Sequence, residues 1–260
     1  MQILHLVLYS DTKSNQCYDE MFEMTQKYYQ KFSPNVRTIY YKYADIQEEF
    51  KLVNNMLLIK GTETLIPGVL DKTIKAFEYI YNHNILQEYE AVVRSNISTI
   101  VNFELLIEKL KNTGIPYYAG AKIENLQWTG GGIEDPSYFG TIFACGISII
   151  LSKSAVQFLI ENKENIRMDI VDDVSLALFH KQYKPDMYPP MELGQYVYMP
   201  SFFCKDNDRI VLKINDLISF IKNKNIIFYR NNCTFNWSER KVDAIQMSII
   251  LDYLDSHKNP

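Results

Sequence analysis

The chain has little of what marks several classes of protein. Its 260 residues include only 10 glycines, 9 prolines and 4 cysteines, and no two of the cysteines form a CxxC pair. Fibrous and linker-rich proteins need far more glycine and proline, and zinc-binding domains need closely spaced cysteines or histidines. We therefore expect four free thiols, as in a reducing compartment.

An excess of positive charge and long apolar runs are also lacking. Lys and Arg total 27 while Asp and Glu total 31, so the net charge is −4. Proteins that bind nucleic acid normally carry a basic excess or stripe, so we expect no nucleic-acid partner. No apolar run approaches the ~18 residues that span a bilayer, and no basic segment precedes the apolar start at Ile3–Tyr9. The sequence thus predicts a cytoplasmic protein without a membrane span.

Segments typical of strands and of helices alternate along the first half of the chain. Strands are predicted at Ile3–Tyr9, Val36–Tyr43, Met56–Ile59 and Tyr89–Val93, and helices at Tyr18–Phe32, Ile66–Tyr81 and Phe103–Leu110. The second half adds strands at Ile115–Ala121, Ile142–Leu151, Arg209–Ile214 and Asn225–Arg230, helices at Ser152–Glu161, Asp172–His180 and Val242–Leu254, and a long loop at Tyr183–Pro200. This order predicts an α/β fold whose mixed, mostly parallel central sheet is flanked by helices, within one domain.

Ligands of such sheets bind beyond the carboxyl ends of the strands. Three polar segments follow predicted strands here, at Ser10-Asp11, Lys60–Glu63 and Arg94–Asn96. We expect these segments to lie near each other at one edge of the sheet.

The first candidate constellation is a pair of lysines. Lys60 follows a buried strand and Lys72 lies one turn into the next helix, so both could meet one phosphate near the helix N-terminus. The alternative is two solvated lysines around an ordinary turn.

The second candidate constellation is Arg94, Ser95 and Asn96. In the functional interpretation the arginine clamps a diphosphate. The alternative is a strand end with an Asn turn.

The third constellation is Asp172-Asp173 at a predicted helix start. Two carboxylates there are usually caps. In the functional interpretation one of them projects into the cleft as a general base.

The fourth candidate constellation is Cys145-Gly146 inside a predicted strand. A glycine there indicates either close packing or a role in holding a sugar. The run Gly130–Gly132 lacks the context of a phosphate loop and predicts a flexible loop.

The order of these elements resembles glycosyltransferases of the GT-A fold, which is Rossmann-like. The resemblance is strongest to a group found in large DNA viruses, and more distant to the fringe and β-1,3-galactosyltransferase family. It is carried by Lys60-Gly-Thr-Glu63 with the following helix through Lys72, by Val93–Ser98, by Phe143–Ser152, and by Asp172-Asp173-Val174, which is similar to that family's "EDV".

The resemblance implies a role for each segment. Residues 1–112 would bind a nucleotide sugar, with Ser10 and Asp11 near the base and ribose, and residues 113–260 would bind the acceptor and carry the catalytic group. Donor contacts would come from Lys60, Glu63, Lys72, Arg94, Ser95 and Asn96, and sugar contacts from Cys145 and Gly146. Asp173 matches the position of the catalytic base, with Asp172 beside it as cap or acceptor-orienting group.

Arg94-Ser95-Asn96 stands where the fold usually has Asp-x-Asp, whose carboxylates hold Mn²⁺ or Mg²⁺. Both acidic positions are missing, which argues against a bound metal. The resemblance implies an inverting transfer of a sugar, with a UDP-sugar favoured, to a glycan or glycoprotein acceptor, in the host cytoplasm if the protein is viral. The alternatives are a retaining transferase of the same fold and a catalytically inactive carbohydrate-binding or scaffold protein.

Overall fold

A computed structural model describes residues 1–10, 17–194, 196–199, 203–206, 209–222, 225–232 and 240–256. For residues 196–199, 203–206 and 209–212 it describes only the course of the backbone. The predicted ligand residue Asp11 lies outside the described residues.

Strands and helices alternate through most of the described chain. The strands are β1 (Ile3–Leu8), β2 (Val36–Ala44), β3 (Phe50–Val53), β4 (Met56–Lys60), β5 (Ala91–Asn96), β6 (Thr99–Val101), β7 (Tyr118–Gly120), β8 (Ile123–Asn125), β9 (Ile142–Ala144), β10 (Ser148–Ser152), β11 (Met191–Glu192), β12 (Tyr196–Met199), β13 (Phe203–Asp206), β14 (Arg209–Leu212) and β15 (Phe228–Asn231). The helices are α1 (Cys17–Tyr29), α2 (Gly68–Asn82), α3 (Phe103–Thr113), α4 (Lys153–Glu161), α5 (Asp172–Tyr183), α6 (Ile214–Lys222) and α7 (Lys241–Ser256).

Eight of these strands form the central sheet, in the order β11-β7-β10-β5-β1-β2-β4-β3. The neighbours β5, β1, β2 and β4 run parallel, whereas β10 runs antiparallel to both β5 and β7, and β3 runs antiparallel to β4. The predicted mixed α/β fold with a mostly parallel central sheet is confirmed, and the arrangement is consistent with a GT-A-like fold.

Helices cover both faces of the sheet, and the inner strand β1 is accordingly buried along almost its whole length. Successive side chains of a strand point to opposite faces. In β1, Leu4 and Leu6 pack with the core under α2, α4 and α5, while Ile3 and Val7 pack with the core under α1, α3 and α7.

Two of the helices begin with a side-chain cap. Asn102 accepts a hydrogen bond from the Leu105 amide at the start of α3, and Ser152 accepts one from the Ala155 amide at the start of α4. The single strand predicted at Ile142–Leu151 is wrong, because Cys145–Ile147 divides it into β9 and β10. The two parts then pair with different partners, β9 with β8 and β10 with the central sheet.

A smaller sheet of β12, β15 and β6 lies beside the central one. It brings the strand β15, from late in the chain, next to β6, which directly follows β5. Part of the predicted loop at Tyr183–Pro200 forms β11 and β12. None of the described helices combines the length and the apolar character that crossing a bilayer requires.

Candidate active site

A cleft of about 730 Å³ lies beyond the carboxyl ends of β1 and β5. The first half of the chain contributes polar side chains that follow strands: Ser10, Glu63, Arg94 and Asn96. The second half contributes the loop between β9 and β10 and the start of α5, through Cys145, Gly146, Asp172 and Asp173. The cleft therefore lies where ligands of parallel sheets bind.

Arg94 cross-links β5 to three other elements, namely β2, the β9–β10 loop and the start of α5. Its side chain is 1% exposed, although it carries a charge. Nη2 lies 2.8 Å from Oδ2 of Asp172, Nη1 donates to the carbonyl oxygen of Gly146, and Nε donates to the Tyr41 hydroxyl at 3.3 Å. The guanidinium thus holds β5, the β9–β10 loop and the start of α5 together, and much of its hydrogen-bonding capacity is used within the protein.

Asp173 is fixed by two backbone amides. Its Oδ2 accepts a hydrogen bond from the Gly146 amide at 3.0 Å, and its Oδ1 accepts one from the Val174 amide at 2.9 Å. Burial, and then the negative charge of Asp172, raise the pKa of Asp173 to about 7, while the two amides and Arg94 oppose the rise. The carboxyl group is therefore placed to exchange a proton near neutral pH.

The two adjacent carboxylates have different surroundings because only one of them pairs with Arg94. The N-cap residue of α5 is Val171, whose side chain makes no capping hydrogen bond. The interpretation of Asp172 as a helix cap is therefore wrong, since its carboxylate is directed to the guanidinium instead. Asp172 has a cation to balance its charge, whereas Asp173 is held mainly by neutral donors.

The glycine run fixes the chain just before α5. The amide of Val171 donates to the carbonyl oxygen of Gly131 at 2.9 Å. Gly132 has φ +80°, and a Cβ there would lie 2.1 Å from the carbonyl oxygen of Asp169. The run therefore packs against the segment that leads into α5, and its prediction as a flexible loop missed this contact.

Gly146 keeps the space above the carboxylates clear. A Cβ at this position would lie 3.5 Å from Arg94 Nη1 and 3.6 Å from a carboxylate oxygen of each of Asp172 and Asp173. These are ordinary contact distances, so a methyl group would fit but would cover the charged groups. Burial raises the pKa of the neighbouring Cys145 to about 12, which keeps that thiol protonated at neutral pH.

Lys72 lies beneath the cleft and is fully buried. Its ammonium contacts both carboxylate oxygens of Glu63 at 2.8 Å, the carbonyl oxygen of Tyr9 at 2.9 Å and the Ser10 hydroxyl at 3.2 Å. Burial lowers the pKa of Lys72, while Glu63 opposes this. The lysine fixes the end of β1 against Glu63 and does not line the cleft.

Two further predicted donor residues also lie away from the cleft. Lys60 is exposed, and its ammonium donates to the carbonyl oxygen of Gln47 at 3.2 Å. Ser95 is fully buried, and its hydroxyl lies 2.8 Å from Nε2 of His5. The expected convergence of Lys60 and Lys72 on one phosphate is not found, because Lys60 projects outward and Lys72 is enclosed by protein groups.

The sequence reasoning missed several residues that line the cleft, namely Arg230, Arg240, Trp128 and Glu124. Arg240 is buried, with Nε 2.7 Å from Oδ2 of Asp243 and Nη1 3.0 Å from the Tyr18 hydroxyl. Arg230 lies at the end of a predicted strand and is followed directly by an asparagine. Arg94 lies near the end of a predicted strand and has an asparagine two residues later. This similarity was the signal in the sequence that could have identified Arg230 as a cleft residue. Arg240 has no comparable signal in the sequence.

The residues at the usual Asp-x-Asp position do not fit a divalent metal. Arg94 is a cation paired with Asp172, Ser95 faces His5 and does not line the cleft, and Asn96 offers a carboxamide in place of a carboxylate. Hard divalent cations prefer carboxylate oxygens. Across the part of the chain that the structure describes, no three His, Cys, Asp or Glu side chains cluster as metal ligands would.

Comparison with known proteins adds a likeness of fold alone. No family model matches the chain, so the more distant resemblance to the fringe family gains no support. No curated protein matches it either. Among solved structures, the chain is similar to one described as a glycosyltransferase involved in the glycosylation of the major capsid of PBCV-1, with 10% identity and a TM-score of 0.48 over 94% of this chain and 99% of that one. A likeness at this level identifies neither a substrate nor site residues.

Proposed function

We propose that the protein is a glycosyltransferase that moves a sugar from a nucleotide-sugar donor to a hydroxyl group of a glycan, with inversion at the anomeric carbon. The observation that carries the proposal is Asp173, a partly buried carboxyl group in the cleft whose pKa is raised to about 7. A general base works best when its pKa lies near the operating pH.

The proposed chemistry assigns each bond. Asp173 takes the proton of the acceptor hydroxyl as that oxygen attacks the anomeric carbon. The new bond joins the acceptor oxygen to the anomeric carbon, and the bond to the diphosphate breaks, so that the nucleotide leaves with the electron pair. Such a step needs positive charge near the departing diphosphate.

Asp172 and Arg94 have positioning roles in this scheme. Arg94 holds Asp172 and the carbonyl of Gly146, while the amide of the same Gly146 holds Asp173. The β9–β10 loop and the start of α5 are thereby fixed to each other. A base held in this way keeps its direction when the acceptor binds, which is a large part of what proximity contributes.

The rest of the cleft fits a ligand with both polar and flat surfaces. Ser10, Glu63 and Asn96 provide hydrogen-bonding groups at the strand ends, as the sequence predicted for a donor site. Trp128 is 40% exposed and lines the same cleft. An exposed aromatic face beside polar groups suits a sugar ring, which has an apolar face and hydroxyl edges.

The test is a screen of UDP- and GDP-sugars with simple glycosides as acceptors, read by NMR of the product's anomeric proton. The proposal predicts transfer from at least one donor and a product anomer opposite to that of the donor. Retention would move the protein to the retaining class of transferase. Binding of nucleotide sugars without turnover would favour the carbohydrate-binding alternative.

A further inference from the structure

Trp128 lies in the loop between β8 and β9, where it lines the cleft and is 40% exposed. The backbone on both sides of it is fixed. The Leu126 amide donates to the carbonyl oxygen of Thr141 at 2.9 Å, and Gly130 and Ile133 exchange two amide-to-carbonyl hydrogen bonds of 2.9 Å. An exposed aromatic side chain on a fixed backbone is preorganised for a ligand, because the backbone loses little freedom on binding.

The same loop is joined to the segment that carries the proposed base. Gly131 follows Trp128 by three residues, and its carbonyl oxygen accepts a hydrogen bond of 2.9 Å from the amide of Val171, two residues before Asp173. A Cβ on Gly131 would lie 2.4 Å from Cγ1 of Val171, so the two segments are in close contact. The position of Trp128 relative to Asp173 is therefore set by direct packing and hydrogen bonding between the segments.

Glu124 adds a hydrogen-bonding group from β8, the strand that leads into this loop. It lines the cleft near Cys145, whose pKa is raised to about 12 by burial first and by the negative charge of Glu124 second. Cys145 directly precedes Gly146, whose amide binds Asp173. Glu124 pairs with Lys122, yet its side chain is 37% exposed, and a carboxylate can accept about four hydrogen bonds. Its oxygens therefore remain accessible to a ligand.

The donor and the acceptor must occupy different parts of the cleft. Ser10 and Glu63 line it from the strand ends of the first half of the chain, whereas Trp128 and Glu124 belong to the part that holds Asp173. The group that lies on Trp128 is therefore the one whose hydroxyl reaches the base. A pyranose ring has an apolar face of C–H bonds for an indole and hydroxyl edges for a carboxylate, a combination that a simple alcohol lacks.

We propose that Trp128 and Glu124 form the acceptor subsite. The indole contacts the apolar face of a pyranose ring, and the carboxylate of Glu124 accepts a hydrogen bond from one hydroxyl of that ring, while another hydroxyl meets Asp173. This assignment rests on the proposed transferase function. It makes Trp128 a specificity-determining residue, because an alcohol without a ring face gains nothing from the indole.

The experiment measures binding of the methyl glycosides of glucose, galactose, mannose and xylose by saturation-transfer difference NMR, which detects weak ligands and shows which of their protons contact the protein. Wild type should bind at least one of them, with the strongest saturation on the C–H protons of one ring face. Trp128→Ala should weaken binding about three- to tenfold, the range for one aromatic contact. Trp128→Phe keeps a ring and should recover part of that loss.

Two further variants sharpen the test. Glu124→Gln replaces a charged hydrogen-bond acceptor with a neutral one and should weaken binding by up to about tenfold. The control Phe139→Ala removes an aromatic side chain of the same loop that is 41% exposed but lies outside the cleft lining, and it should leave binding unchanged.

Equal binding by Trp128→Ala and wild type, a Phe variant as weak as the Ala variant, or no binding of any of the four glycosides by wild type would each overturn the proposal. Should Trp128→Ala not fold, wild-type protein is oxidised with N-bromosuccinimide and mapped by mass spectrometry. The bound glycoside should then protect Trp128, and lack of protection would overturn the proposal.

Failure of this inference and failure of the transferase proposal give different results. In transfer assays Trp128→Ala should raise KM for the glycoside and leave KM for the donor unchanged. If both values stay at those of wild type, the subsite assignment is wrong and the transferase stands. If glycoside binding depends on Trp128 but no sugar is transferred from any donor, the sugar subsite stands and the transferase proposal is wrong.

Discussion

Two buried ion pairs lie at the same edge of the central sheet, and they differ in the balance of their charges. Lys72 meets Glu63 at 2.8 Å, so one cation faces one carboxylate. Arg94 meets Asp172 at the same distance, but Asp173 adds a second carboxylate at the next position. The second cluster therefore contains more negative charge than its one cation can compensate.

This difference separates a structural pair from a reactive one. In the balanced pair, the ammonium of Lys72 donates its hydrogen bonds to Glu63, to the Tyr9 carbonyl and to the Ser10 hydroxyl. Its charge is therefore neutralised within the protein and does not attract a ligand. In the unbalanced cluster, burial and the charge of Asp172 raise the pKa of Asp173. A positive charge near a strand end is thus not enough to indicate a phosphate site, because its carboxylate partners decide what it can do.

The largest expected effect comes from removing the cation of the unbalanced cluster. Arg94→Met leaves the carboxylates of Asp172 and Asp173 without that cation. Removing one partner of a buried ion pair typically lowers the free energy of unfolding by about 3–5 kcal/mol. Denaturation in urea measures this loss. A control, Arg167→Met, removes a guanidinium that is 38% exposed from its pair with Asp169, and it should cost less than about 1 kcal/mol. Comparable losses for the two variants would contradict the central position of Arg94.

The balanced pair should behave differently when both partners are replaced. Lys72→Met alone leaves Glu63, which is 21% exposed, and should cost about 2 kcal/mol, because Glu63 can still reach water. The double variant Lys72→Met with Glu63→Gln should recover part of that loss, since a buried pair can be replaced by neutral groups at little net cost. A double-mutant cycle by urea denaturation measures the recovery, and strictly additive losses would show that the two side chains do not interact.

Gly146→Ala sharpens the comparison by covering one cluster without breaking it. The methyl group would sit 3.5–3.6 Å from the charged groups, so stability should change by less than about 1 kcal/mol. Turnover should fall by about tenfold or more, because the methyl group occupies the space through which the acceptor reaches Asp173. Steady-state kinetics beside a thermal melt checks both parts. Unchanged turnover would mean that the acceptor approaches from another side.

A further expected effect is a pH dependence of stability. Because the pKa of Asp173 is raised by folding, the native state binds more protons than the unfolded state between the two pKa values. This group therefore lowers stability as pH rises from about 4 towards the raised value, by at most about 1.4 kcal/mol per pH unit. Asp173→Asn should have a flatter profile over that range in urea denaturation at several pH values. A parallel profile would show that the carboxyl group is not perturbed.

The sequence predicted the fold because local patterns and packing agree there. The run at β1, apolar except for His5, and the 3.6-residue period of α2 indicated a sheet covered on both faces. The break between β9 and β10 was missed because Phe143–Leu151 is apolar on both sides of Gly146. Nothing local shows that the flanking segments pair with different strands.

The site was predictable where a residue follows a strand or begins a helix, as with Arg94, Asn96, Asp172 and Asp173. It was not predictable where the outcome depends on a partner distant in the chain. Lys72 is withdrawn from the cleft by Glu63, which the sequence placed near it but with a different role. Arg230 enters the cleft only through the pairing of β15 with β6, a contact more than 100 residues apart along the chain.

The most direct test of the account is the turnover of Asp173→Asn. General-base catalysis is worth about 10²–10⁴-fold, so kcat should fall by that factor while donor affinity stays within about twofold of wild type. Asp169→Asn, which changes an exposed carboxylate just before α5, is the matched control and should keep near-normal kcat. In the wild type, kcat/KM should rise with pH through the raised pKa of Asp173. Near-normal turnover of Asp173→Asn in folded protein would contradict the assignment of Asp173 as the base.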